Sequence, residues 1–217
     1  MPDWEQLATR ARERYHDGEA RLSDDDEDAR QRQLTRMGNA AYAAALSSLM
    51  SGDGGAATWL ASARDRYRES WDGAPPGSWG RPIAMLKARI LGADWGGAEE
   101  DARWTLEQGA ADAESPIGRY AAALAALVLG EWEQARVLAD GLRRTEEFPR
   151  EVGDALAAVA AEDPLGYTEA IEGVLESFET RDEYLEDMPV ADTVLVLQAL
   201  AERRNLQVQL NSPLLPA

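Results

Sequence analysis

The chain has no cysteine, one histidine (His16), one lysine (Lys87) and two phenylalanines. Without cysteine there are no disulfides, no thiolate nucleophiles and no cysteine-ligated metals. One histidine cannot build a two-histidine zinc site. A triad would have only His16 to draw on, and His16 reads as an exposed side chain near a helix end. With Lys87 alone there is no GxxxxGK[ST] phosphate loop, and GxGxxG is also absent. No apolar run reaches the roughly 18 residues of a membrane span. The opening MPDWEQLATRARERY is charged from its third residue, unlike a secretory signal, so the cytoplasm is the expected location. Isoleucine, valine and phenylalanine are sparse beside alanine, which favours helix over sheet.

What is abundant is acid. Forty Asp and Glu face 22 Lys and Arg, for a net charge of -18. Such a surface repels nucleic-acid phosphates and anionic membranes, so neither is expected as a partner. It suits a basic protein, because complementary fields steer encounter. Acid excess with arginine in place of lysine also matches halophilic proteins, whose self-repulsion is screened by salt. Both explanations stand at this point.

The organising stretch is PIGRYAAALAALVLGEWEQARVLADGLRR, residues 116 to 144. Tyr120, Leu124, Leu127 and Val128 mark one apolar stripe, which stops at Gly130. Trp132, Ala135, Leu138, Ala139 and Leu142 mark a second at helical spacing. So short a turn makes the two helices an antiparallel hairpin. GEWEQA is similar to the turn of a tetratricopeptide hairpin: Gly130 closes the first helix, Trp132 packs back on it, and the second helix crosses at Ala135. Comparable turns read GDGGAA, GADWGGA and DPLGYTEA. Their crossing alanines, Ala57, Ala98, Ala135 and Ala170, are 41, 37 and 35 residues apart. The aromatic before the crossing is Trp95, Trp132 and Tyr167. The first unit has glycine there and departs from the pattern.

Other helices are expected from Asp3 to about Leu22, with Asp17-Gly18 a weak point. Ser23 would cap the next, which runs to about Met50 past a weak point at Gly38-Asn39. Further helices should occupy 56–71, 83–92, 95–108, about 149–161, 164–180 and 190–204, with 83–92 and 95–108 forming a hairpin. The tail NLQVQLNSPLLPA alternates at Leu206, Val208 and Leu210 and contains two prolines, so it should be extended and lie back along the last helices. The fold class expected is all-α: antiparallel helical hairpins stacked as a degenerate tetratricopeptide-like array or a compact α-bundle, with a short extended C-terminal tail. One all-helical domain spans 1–217, and the Pro/Gly loop DGAPPGSWGRP at 72–82 is the candidate internal boundary.

No catalytic constellation, cofactor motif or metal signature emerges. SDDDED has the alternating acids of a calcium loop. The sixth position would be Ala29 where glycine is needed, and the twelfth Thr35 where glutamate is needed, so a solvated helix start fits better. Glu99-Glu100-Asp101 and Glu146-Glu147 are acid clusters with nothing in sequence to raise a pKa. An acidic-residue hydrolase is therefore the weakest reading. Trp59, Trp95 and Trp132 read as core. Trp71 and Trp79 flank the 72–82 loop and are the expected exposed aromatics, hence the candidate partner-binding residues. Arg64, Arg66 and Arg68 read as a solvated face paired with Asp65 and Glu69.

The C-terminal third resembles the Immunity protein 49 family of bacterial polymorphic-toxin systems. DALAAVAAEDPLGYTEAIEGVLESFETRDEY, VLVLQALAERRNLQVQL and the terminal SPLLP carry the resemblance. It implies a non-catalytic, all-helical protein that neutralises a toxin by binding it, and it transfers no individual functional residue. The expectation is a helical-repeat protein that binds a protein or peptide, a basic toxin among the candidates. The alternative is a housekeeping scaffold or regulator holding a host peptide in a concave groove.

Overall fold

In the computed structural model, residues 2–216 are described. Among them are ten α-helices, two short 3-10 turns and no strand. The helices are α1 (Trp4–Ala20), α2 (Glu27–Ser51), α3 (Ala56–Glu69), α4 (Gly80–Leu91), α5 (Trp95–Glu107), α6 (Pro116–Leu129), α7 (Trp132–Leu142), α8 (Arg150–Ala161), α9 (Pro164–Glu179) and α10 (Asp192–Glu202). The 3-10 turns are Ala110–Asp112 and Leu185–Asp187. The all-α expectation holds, and no helix among the described residues is long and apolar enough to cross a membrane.

The chain divides into two compact units. The first holds α1–α4 with Arg181–Val190 and the tail from Asn211; the second holds Ala93–Thr180 with Ala191–Leu210. The division falls at Gly92–Ala93. The 72–82 loop lies inside the first unit, and the helices expected to pair as 83–92 and 95–108 belong to different units.

In the first unit α2 packs on α1 and α3, and α3 on α4. Ala40 to Ser48 of α2 are buried without interruption, which marks a helix enclosed on all sides. Neither expected weak point breaks its helix. A Cβ on Gly18 would lie 2.6 Å from Met37 Cγ, and one on Gly38 would lie 2.8 Å from the Tyr67 ring. Both glycines are there for close packing between helices, and the helix continues through each. Tyr67 also donates its hydroxyl to Asn39 at 2.8 Å, which seats its ring on the α2 backbone. Ser23 does not cap α2. Asp26 does, accepting from the backbone of Asp28 and Ala29, while the Ser23 hydroxyl turns to Asp25. A carboxylate three residues further on is closer to the helix and favours its positive end.

In the second unit consecutive helices pack in order from α5 to α9, and α10 lies on α8 and α9. Residues 121–128 of α6 are all buried, so α6 is the core helix. Its end follows the expected turn: Gly130 takes φ +74°, and a Cβ there would sit 3.4 Å from the Trp132 ring. Asp94, Ser115 and Asp163 cap α5, α6 and α9 through backbone N–H groups three residues on. The crossing alanines Ala98, Ala135 and Ala170 are buried, but Ala57 is exposed. The first turn departs from the repeat at that position as well as at its missing aromatic. The tail is non-helical from Leu206 to Asn211, and the Gln198 amide of α10 holds both the N–H and the carbonyl of Val208.

Candidate functional site

A cleft in the second unit has a volume of about 680 Å³. Arg136 and Asp140, four residues apart on one face of α7, form one wall with Arg143 at the helix's C-terminal cap. α8 packs against both neighbours and supplies the floor, where Asp154, Ala157, Ala158 and Ala161 are successive on one face. The first turns of α9 form the other wall with Asp163, Gly166 and Glu169. The small floor side chains open the space between the walls.

The charges of the cleft are unequally satisfied. Arg136 pairs with Glu133 at 2.8 Å, and Arg143 with Asp140 at 3.1 Å. Arg143 also contacts Asp154, which Arg150 approaches at 3.6 Å. Burial opposes the charge on Arg143, but Asp154 and Asp140 outweigh it and hold its pKa above the ordinary arginine value. Asp163 is occupied in capping α9. Glu151 and Glu169, both exposed, form no ion pair among the described residues. The three arginines are therefore already matched, and the charge left over is negative.

Of the two tryptophans expected to be exposed, Trp79 is not: it is 9% exposed and belongs to the core. Its ring centroid is 5.4 Å from that of half-buried Trp71, at an interplanar angle of 44°. The loop between them folds back on itself and brings the rings together, so each shields the other from water. Trp79 is thus a core residue and not an exposed anchor.

Beside this pair is Arg81, which sequence reasoning missed. Its Nε donates to Ser70 at 2.9 Å and to Thr35 at 3.2 Å, and it also contacts Gln31. Burial pushes its guanidinium pKa below the ordinary value. Hydroxyls and an amide surround this cation, and it fastens the start of α4 to α2. A lone arginine after a Gly–Pro loop gave no sign of that role.

Trp59, Trp95 and Trp132, expected in the core, are each only half-buried. His16 is exposed and 3.5 Å from Glu19. In SDDDED, Asp24 pairs with Arg30 at 2.8 Å, Asp26 caps α2 and Asp28 pairs with Arg32. Gln31 and Arg32 hold the Asp28 carboxyl below its ordinary range. No cluster able to hold a metal ion occurs among the described residues. Arg64 meets Asp65 at 2.8 Å and Arg66 meets Glu69 at 2.9 Å, the pairing expected, but Arg64, Arg66 and Arg68 are half-buried rather than solvated, and Arg66 also donates to the Tyr15 hydroxyl at 3.1 Å. Glu99 pairs with Arg103 at 3.0 Å, and Asp101 is buried.

The class defined by these observations is an all-helical chain whose helices pack consecutively within each of two units, the second carrying a charged, alanine-floored cleft. Compared with known proteins, the chain matches no protein-family model, no curated protein and no solved structure.

Proposed function

We propose that this chain is a non-catalytic, protein-binding helical-repeat protein that acts through the cleft between α7 and α9. The observation that supports this most directly is the cleft itself, about 680 Å³ between helices, with small apolar residues below and fixed charges on both walls. Clefts of this size and mixed lining are where proteins hold ligands and partner segments. The finer reading is an immunity protein that neutralises a toxin by occupying its surface, as the C-terminal resemblance implies. The net charge of -18 supports a basic toxin as the partner in the cytoplasm. The same cleft suits a host peptide if the protein is a scaffold.

The test is affinity capture from the native cytosol at high salt, followed by titration of the purified partner. A single protein partner with a Kd at or below about 1 μM is expected. If that partner arrests growth when expressed alone and the chain restores it, the immunity reading stands. A housekeeping protein as partner would replace it with the scaffold reading. Capture of no protein under any salt condition would end the binding reading altogether.

A further inference from the structure

We infer that the occupant of the α7–α9 cleft is a basic amphipathic helix of a protein partner, seated with its apolar side on Ala157, Ala158 and Ala161. The inference rests on the protein-binding reading and adds what that reading leaves open, the chemistry and conformation of the bound segment. Three observations carry it.

The first is charge. Each arginine of the cleft already pairs with a carboxylate, whereas Glu151 and Glu169 form no ion pair among the described residues. An incoming cation gains two partners and displaces none. An incoming anion would have to compete with Asp140 and Asp154 for Arg143. Electrostatic complementarity therefore selects lysine or arginine on the occupant.

The second is the floor. Ala157 and Ala158 are each 7% exposed, and Ala161 is exposed. A floor of methyl groups lets a helix approach a helix near the short end of the usual 8–10 Å spacing. Three helices line the cleft; their interior backbone groups bond within each helix, and at the ends Asp163 accepts from Gly166 while Arg204 donates to Val159 and Ala160. An extended segment would find almost no backbone partners there, whereas a helix satisfies its own.

The third is exposed apolar surface on the helices that form the walls. Leu165, in the first turn of α9, is 83% exposed, and Val137 on α7 is 63% exposed. Neither side chain lines the cleft itself, so the two add apolar area only where a ligand overruns the walls.

The test uses the full-length protein and two synthetic helix-forming peptides of about twenty residues. One has an alanine/leucine face and a lysine face; in the other every lysine is glutamate. Binding is read by fluorescence anisotropy at low salt. The lysine peptide should bind and the glutamate peptide should not. E151K/E169K should weaken the lysine peptide about tenfold, by turning two attractions into repulsions. E100K/E107K makes the same change of net charge on exposed positions of α5 and should have little effect. A161W fills the floor at an exposed position and should weaken binding at least fivefold (a rough expectation for a blocked cleft). Melting curves confirm that each variant is folded.

Equal losses in the two double variants would overturn the proposal, because the general acidic field would then explain the binding. So would unchanged affinity in A161W, or no binding of the lysine peptide at all. None of these results touches a partner captured whole from cytosol, so the protein-binding reading fails or survives on its own experiment.

Discussion

The guanidinium carbon of Arg204 sits 4.1 Å from the centroid of the Trp132 ring. From that position it donates to the carbonyls of Val159 and Ala160 at 3.1 and 2.7 Å, and to Glu162 at 2.6 Å. The preceding residue repeats the arrangement: Arg203 lies 4.5 Å over Trp95 and donates to the Val128 carbonyl at 2.8 Å. Those carbonyls are in the last turns of α8 and α6, where no intrahelical donor remains and the helix dipole favours a cation. Two adjacent arginines at the end of α10 thus fasten the turns of the second unit, and the turn tryptophans are their platforms.

Arg204→Ala removes the stacking and all three hydrogen bonds from a side chain only 13% exposed. The expected loss is about 2–3 kcal/mol, measured by urea denaturation followed by circular dichroism. Arg204→Lys should recover only part of it, since an ammonium cannot stack and reach the carbonyls together. Equal stability of the lysine variant and the parent would refute this account.

Gly38 and Gly96 are both helical glycines with opposite surroundings. A methyl group on Gly38 meets the buried Tyr67 ring, while one on Gly96 meets nothing within 4 Å. Gly38→Ala should cost about 1–3 kcal/mol through overpacking. Gly96→Ala should add up to about 1 kcal/mol through helix propensity. The signs of the two changes in denaturation midpoint decide the matter.

Tyr167 donates its hydroxyl to Gln198 at 2.9 Å, and burial raises its pKa well above the ordinary value of 10.0. The unfolded chain then loses this proton first as pH rises. The stability tied to the neutral phenol is complete below pH 10.0 and declines above it. Tyr167→Phe should lower stability at pH 8 by about 1 kcal/mol and flatten the alkaline decline. An alkaline decline as steep in the variant as in the parent would show that another group governs it.

Trp79→Ala opens a cavity beneath Trp71 and should cost about 3–5 kcal/mol. Trp71→Ala removes a half-buried ring and should cost less. Thermal melts of the two variants compare them directly. A smaller loss at Trp79 than at Trp71 would mean that its ring is not part of the core.

Self-repulsion at a net charge of -18 should make stability rise with salt. Between about 0.05 and 1 M KCl the Tm should increase by about 5 °C as the Debye length falls from above 10 Å to about 3 Å. The exposed ion pairs weaken over the same range, but each contributes no more than about 1 kcal/mol. A falling Tm would place the acid excess in specific pairs and remove the case for salt adaptation.

The turn at Gly130 and Trp132 was legible because a glycine, an aromatic and an alanine act on one another within a few residues. The caps at Asp94 and Asp163 went unread, although each stands within one turn of the helix it starts. Ser23 was misread for a related reason: several acceptors lie within one turn, and only the path of the chain decides between them. Gly18 and Gly38 looked like breaks because what they accommodate, Met37 and Tyr67, comes from elsewhere in the chain. Trp79 looked exposed because a Pro/Gly loop usually faces water. Arg203 and Arg204 read only as the end of a helix. The candidate cleft was hidden in the same way, since its three charged faces look like ordinary solvated helix surfaces until they meet.

From the sequence alone came the helices, their stripes and the sign of the surface charge, because each depends on residues three or four positions apart or on a simple count. The folded structure decided which charges cancel. Arg12 finds Asp53, and Arg204 finds Glu162, across some forty residues of chain, while Glu151 and Glu169 are left facing an open cleft. Coulomb interaction weakens with separation and is screened beyond about 10 Å at moderate salt, and only folding sets those distances.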